Sequence, residues 1–130
     1  MARTPAEILA DARTIALVGA SPNTARPSHG VMRYLLEEGY DVRPVRPHVR
    51  EVLGVPCVAS LAEIDEPIDL VDVFRNESAA PGHAREAVEV GAKAFWLQLD
   101  LHSPEARAIC GEAGLDYVED ECTAIVHRRI

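Results

Sequence analysis

The sequence predicts an α/β domain, a doubly wound and mainly parallel five-stranded sheet with helices on both faces. Three observations carry this. Strand and helix patterns alternate along the chain with crossovers of a dozen or more residues, as parallel pairing requires. The first strand pattern, TIALVGA from Thr14, is continuously apolar, as in strands buried on both faces. At 130 residues the chain holds one such core without disulfides, so residues 1–130 read as a single domain with no room for a separate catalytic one.

The elements follow in order. Pro5 to Ala12 reads as a short helix, and Thr14 to Ala20 as the first strand. After the turn SPNTARPSHG, VMRYLLEEG is a helix with Val31, Tyr34 and Leu35 on one face and Gly39 as its stop. Asp41 to Val45 is a short second strand whose Pro44 predicts an irregular end. Arg46 to Pro67 reads as loop with a weak helical turn at Leu61 to Ile64. IDLVDVF (Ile68 to Phe74) is the third strand, AAPGHAREAVEVG a helix, and KAFWLQL (Lys93 to Leu99) the fourth strand. SPEARAICGEAG is a helix capped by Ser103 with Pro104 at its first position, DYVED is the fifth strand, and a tail ends in IVHRRI.

Composition excludes several classes. A net charge of −8 argues against nonspecific nucleic-acid binding, and no apolar run is long enough to cross a bilayer. The start MARTPAEILADAR carries acids and no apolar stretch of a secretory signal, so a soluble, cytoplasmic protein is expected. Charge is uneven, however. Between Arg26 and Arg50 five arginines stand against three acids, a local excess that suits either a small anionic ligand or a solvated mixed-charge surface. Cys57, Cys110 and Cys122 form no CxxC pair and are odd in number, as suits unpaired thiols in a reducing compartment; Cys110 lies on an apolar helical stripe and is expected in the core.

In such sheets ligands sit beyond the carboxyl ends of the strands, where the strand order reverses. The first of these ends is Gly19-Ala20-Ser21-Pro22. It keeps the first glycine of a dinucleotide turn but puts Ser21 where G-x-G-x-x-G has its second. Amides of the turn and of the helix start near Ser28 and His29 can face an anion, with Ser21 and Ser28 hydroxyls beside them and Arg26 as counter-charge. A plain structural turn is the other reading. The second strand ends in RPVRPHVR, where an NAD enzyme would place an acid to bind ribose. Arg43, Arg46 and Arg50 there disfavour NAD and FAD and favour a phosphorylated adenosine, as in NADP or coenzyme A. Phe74 and Arg75 offer an aromatic face and a cation at the third end, or else a core Phe beside a solvated Arg. Residues Gln98 to His102 form the fourth.

Other constellations carry less. Cys122 and His127 lack further ligands for a metal, and no catalytic set can be assembled around His29 or His83 from spacing. Asp69 and Asp72 are three apart in a strand and point to opposite faces. Phe95 and Trp96, inside the fourth strand, are expected to pack in the core.

The ordered motifs LVGASPNTARPSHGVMRYLLEEGY, RPVRP, LGVPCVASLAEI, IDLVDVFRN, GAKAFWLQL and ECTAIVHRR resemble the stand-alone proteins of the CoA-binding domain superfamily, over about residues 12 to 130. The resemblance implies a Rossmann-like, nucleotide-binding domain similar to the N-terminal domain of the succinyl-CoA synthetase α subunit, with coenzyme A or acyl-CoA as ligand. It implies that Gly19, Ala20 and Ser21 line a phosphate turn and that Arg26 to His29 open the following helix. Val45, Arg46 and Pro47 would border the adenosine, and Phe74 with Arg75 would close the far side. Two positions depart from the family pattern: Arg46 stands where Asn is usual and Asp100 where Gly is common. The ligases of the superfamily keep their catalytic parts in other domains, so the expectation is a non-catalytic binding, carrier or sensor module with no metal. No nucleic-acid or membrane partner is expected, and a homodimer or a partner protein is left open. The alternative is a small NADP-binding oxidoreductase or a regulatory subunit of one; a ligand sensor related to nucleotide-sensing repressors is a third reading.

Overall fold

The computed structural model describes residues 2–130. Helix α1 (Pro5–Asp11) begins at a reciprocal cap. Thr4 Oγ1 accepts the Glu7 amide at 3.2 Å and Glu7 Oε1 accepts the Thr4 amide at 2.8 Å, satisfying two otherwise free donors. Strand β1 (Thr14–Val18) is buried along its whole length, as its apolar run predicts. Then come α2 (Pro27–Glu37), β2 (Asp41–Val45), the two-residue strands β3 (Glu51–Val52) and β4 (Val55–Pro56), and β5 (Leu70–Val73). The chain continues through α3 (Ala80–Glu89), β6 (Ala94–Leu97), α4 (Pro104–Ala113), β7 (Asp116–Val118) and α5 (Thr123–Arg128). Ser103 Oγ caps α4 by accepting the Ala106 amide at 3.1 Å, with Pro104 in the first turn, as the sequence suggests.

The main sheet has the order β2-β1-β5-β6-β7 with every pair parallel. Its strands alternate faces with period two. Ile15, Leu17, Leu70 and Trp96 belong to one core with Ile8 and Leu9 of α1 and Met32 and Leu35 of α2. Ala16, Val18, Val71 and Phe95 belong to the other, with Ala84 and Ala87 of α3 and Ala106 and Cys110 of α4. Helices therefore cover both faces, the arrangement expected of a doubly wound α/β sheet. Burial places Cys110 in the core and pushes its thiol up to about 11.

Several details differ from the sequence reading. The segment expected to be loop contains the β3–β4 hairpin, joined by Leu53 (φ 52°) and Gly54 (φ 79°). Two positive φ values make this the tight turn whose twist suits a hairpin, and buried Val52 anchors it. The tail contains α5, held by buried Thr123 and Ala124 and by a 2.7 Å hydrogen bond between Tyr34 Oη and His127 Nδ1. Helix α2 starts at Pro27, four residues before the Val31 start expected, because Pro at a first helical position already has helical φ. The strands are shorter than their apolar runs. Pro44 does not disturb β2, which keeps register with β1 from Thr14↔Asp41 to Val18↔Val45. β2 is the edge strand of this sheet, and Pro44 turns its carbonyl outward to accept the Val58 amide at 3.1 Å, so its missing N–H falls on the side away from β1 and costs no bond to it.

Candidate functional site

The strand order reverses between β1 and β5, which leaves a crevice beyond their carboxyl ends. Gly19 closes β1 with φ +88° and passes directly over β5. Its amide donates to the Val45 carbonyl at 2.9 Å while the Phe74 amide donates to Val18 at 2.8 Å, so three strand ends are tied at one point. The chain then runs through residues 19–26 into α2. Ser21 is buried and its Oγ accepts the Asn23 amide at 3.1 Å; Asn23 Oδ1 in turn accepts the Ala25 amide at 2.9 Å. These local bonds shape the turn and leave the Ser21 hydroxyl hydrogen free to donate.

A cleft of about 770 Å³ opens at this crevice. Of the residues expected to bind ligand, Gly19, Ser21, Arg26, Ser28, Arg46, Phe74 and Arg75 line it. The others do not. Ala20 is buried in the core and contributes only its carbonyl, which accepts Arg46 Nη1 at 3.4 Å; Pro22 is exposed on the outside of the turn. His29 is buried in the first turn of α2, away from the cleft lining. Val45 and Pro47 border a separate hollow of about 80 Å³ with Leu61 and His83, which shares only Arg75 with the cleft. The cleft is also lined by Pro27 of the Arg26–His29 helix start, Asn76 at the third strand end and Gln98 to Leu101 of the fourth; the sequence reading missed Val31 and Cys122.

The electrostatics of the cleft are lopsided. Among the described residues Arg3, Arg43, Arg85 and Arg107 pair with carboxylates within 4.0 Å, whereas cleft-lining Arg26, Arg46 and Arg75 do not. Unpaired guanidinium groups around a turn of backbone amides favour an anion, and forked ones favour phosphate. The sheet order puts Arg46, after β2, at one side of the cleft and Gln98, after β6, at the other, with Gly19 and Phe74 between. Three strand spacings separate those sides, about 14 Å.

The β6 side carries no arginine where it meets the sheet. Asp72, in the middle of β5, is fully buried; its Oδ1 accepts Gln98 Nε2 and its Oδ2 accepts Thr123 Oγ1 at 3.0 Å. Gln98 Nε2 also donates to Thr123 Oγ1 at 3.2 Å. Burial pushes the Asp72 carboxyl up to about 7, although its two donors pull it down. Asp69, just before β5, accepts the Arg13 and Thr14 amides at 2.9 and 3.0 Å. Beyond Gln98, Asp100 turns the chain with φ 69° and donates its amide to Asp120 Oδ1 at 2.7 Å. His102 pairs with Glu119 at 2.8 Å outside the cleft, which raises its pKa. Among the described residues no group of three or more His, Cys, Asp and Glu could hold a metal, and no helix is long and apolar enough to cross a membrane.

The profile of the CoA binding domain matches residues 13–128. The chain belongs to this family. It is 42% identical over 121 residues to the uncharacterized protein YneT of Bacillus subtilis, covering 93% of this chain and 90% of that one. An ADP-forming acetate–CoA ligase of Archaeoglobus fulgidus is 36% identical over 74 residues, which are 57% of this chain and 11% of the ligase. Among solved structures, a hypothetical protein of Pyrococcus horikoshii superposes with a TM-score of 0.93 at 40% identity, covering 98% of this chain and 92% of that one. The two thus share one Rossmann-like α/β fold. The CoA-binding superfamily resemblance read from the ordered motifs is the family that the profile matches.

Proposed function

We propose that this domain binds coenzyme A or an acyl-CoA in the cleft and has no catalysis of its own, serving as a carrier, buffer or sensor. The observation that carries the reading is the set of unpaired arginines, Arg26, Arg46 and Arg75, around the Gly19–Ser21 turn, in a chain of the CoA binding domain family. The diphosphate lies against the turn and the first turn of α2, where Ser21, Ser28 and Arg26 supply donors. Arg46 meets the phosphorylated ribose, and Phe74 with Arg75 packs on the adenine. The neutral tail runs toward Val31, Leu99 and Leu101, of which Leu99 is 52% exposed without ligand. A side rich in arginine and a side without any suit a ligand that is anionic at one end and neutral at the other. Among the described residues, the cleft offers no paired acid and base to move a proton in a reaction.

Titration calorimetry with CoA, dephospho-CoA, NADP and NAD tests this. CoA is expected to bind tightest and dephospho-CoA more weakly. Tighter binding of NADP than of CoA would overturn the reading in favour of a small NADP-linked oxidoreductase.

A further inference from the structure

Gln98 sits at the end of β6 with its side chain 94% buried as a residue, and both hydrogens of its amide are used inside the protein. One goes to Asp72 Oδ1 and the other to Thr123 Oγ1, whose own hydrogen goes to Asp72 Oδ2. This ring of three side chains fixes which way the amide faces. Above pH 7 Asp72 is a carboxylate that only accepts, so the atom against it must be Nε2, and Thr123, having donated to Asp72, can only accept from Gln98. What remains is Oε1. Among the described residues it has no hydrogen-bond partner, yet it is not sealed from solvent, and Gln98 lines the cleft. A buried polar side chain held in one orientation with one acceptor left over is a device for reading a donor on whatever fills the cleft.

We infer that Gln98 determines specificity at the β6 side of the site, its Oε1 accepting a hydrogen bond from a secondary amide N–H of the ligand's tail, with Asp72 and Thr123 as positioning residues. The inference rests on the CoA reading above and deepens it. Acceptor-only chemistry here selects a tail bearing N–H, such as the pantetheine arm, over one bearing only carbonyl or phosphate oxygens, which would face Oε1 with a lone pair. The distance across the sheet fits the division of labour. Gln98 stands about three strand spacings from Arg46, so it meets a different part of the ligand from the phosphorylated ribose.

The test is calorimetric titration at pH 8 of the wild type, Gln98→Ala and Gln98→Leu with two ligands, CoA and adenosine 3′,5′-bisphosphate, which lacks the pantetheine arm. Loss of one neutral hydrogen bond predicts CoA binding about 5- to 10-fold weaker in both variants. The bisphosphate is expected to bind all three proteins within about twofold, which also reports that the variants are folded. Gln98→Leu keeps the volume without the acceptor, so equal loss in both variants points to the hydrogen bond. CoA affinity unchanged in Gln98→Leu overturns the inference, as does parallel weakening of both ligands. A wild type that binds the bisphosphate but gains nothing from the arm overturns it while leaving the nucleotide site standing. A wild type that binds neither ligand removes the CoA reading and this inference with it.

Discussion

Gly19 lies so close beneath Phe74 that a Cβ on Gly19 would stand 2.7 Å from the Phe74 carbonyl oxygen and 3.1 Å from Arg75 Cδ. The carbonyl is fixed by the sheet and cannot retreat as a flexible side chain could. Gly19 also has φ +88°, a region that other residues occupy only at a cost. Gly19→Ala therefore combines strain with a backbone clash and is expected to destabilise the fold by at least about 2 kcal/mol. Urea unfolding checks the loss. The same turn carries the proposed phosphate site, so CoA affinity should fall further than for a variant of equal stability outside the cleft.

Asp72 gives the stability an unusual pH dependence. Its carboxyl titrates near 7 in the folded protein against 3.8 for an ordinary Asp, so between those values the native state holds more proton than the unfolded chain. Stability from this group is full below about pH 4 and is lost as pH rises through 7. Asp69 and Glu119 slope the other way. Burial alone would raise Asp69, but the Thr14 and Arg13 amides and Lys93 hold it below its usual value, and the His102 bond does the same for Glu119. The comparison must therefore be with Asp72→Asn, in which an amide can still accept from Gln98 and donate to Thr123. Thermal melts from pH 4 to 8 should show the wild type losing stability relative to the variant, by on the order of 4 kcal/mol at pH 8. Parallel profiles would show that Asp72 titrates normally.

Arg46 reaches across to the Ala20 carbonyl at 3.4 Å with no carboxylate partner among the described residues. With phosphorylated ribose beside it, Arg46→Asn should weaken CoA about 10-fold or more and leave dephospho-CoA within about twofold. Raising salt should narrow the difference in the wild type and matter less in the variant. Calorimetry with the two ligands at low and moderate salt measures both effects. Equal loss for both ligands would place Arg46 on the diphosphate instead.

How far the sequence discloses this depends on how local each signal is. The continuous apolar run of β1, Ser103-Pro104 before α4 and Gly39 after α2 each act within a turn or a strand, and each element stands where its residues indicate. Strands β3 and β4 have two residues each, too few for a period, although Leu53-Gly54 between valines is a two-residue hairpin signal of the X-Gly kind. Helix α5 is six residues long and owes its place to packing on α1 and α2 rather than to its own propensity. At the site, the glycine, serine and arginines are legible because their chemistry is tied to a strand end. Gln98 is legible as a strand-end residue but its bonds to Asp72 and Thr123 are not, and Cys122 is not legible at all, because β5, β6 and the start of α5 converge from distant parts of the chain. Asp72 looked like one of two carboxylates on opposite faces; only burial distinguishes it from Asp69.

Asp100 carries the last prediction. It occupies φ 69° directly after Gln98 and Leu99, which follow β6. The Asp100 amide donates to Asp120 Oδ1, a bond that any residue can make, while its side chain has no hydrogen-bond partner among the described residues. The left-handed conformation costs Asp less than a β-branched residue but more than Gly. Asp100→Gly removes that cost while loosening the unfolded chain, and the two effects oppose each other. The net change in stability is therefore expected to stay within about 1 kcal/mol by urea unfolding. Ligand affinity should respond more clearly. Asp100 is the one acid lining a cleft with three unpaired arginines, so its removal makes the site more positive. CoA is expected to bind about 2- to 5-fold tighter to Asp100→Gly at low salt, with the gain shrinking as salt screens the charge. Weaker CoA binding in Asp100→Gly would mean that the carboxylate accepts a hydrogen bond from the ligand.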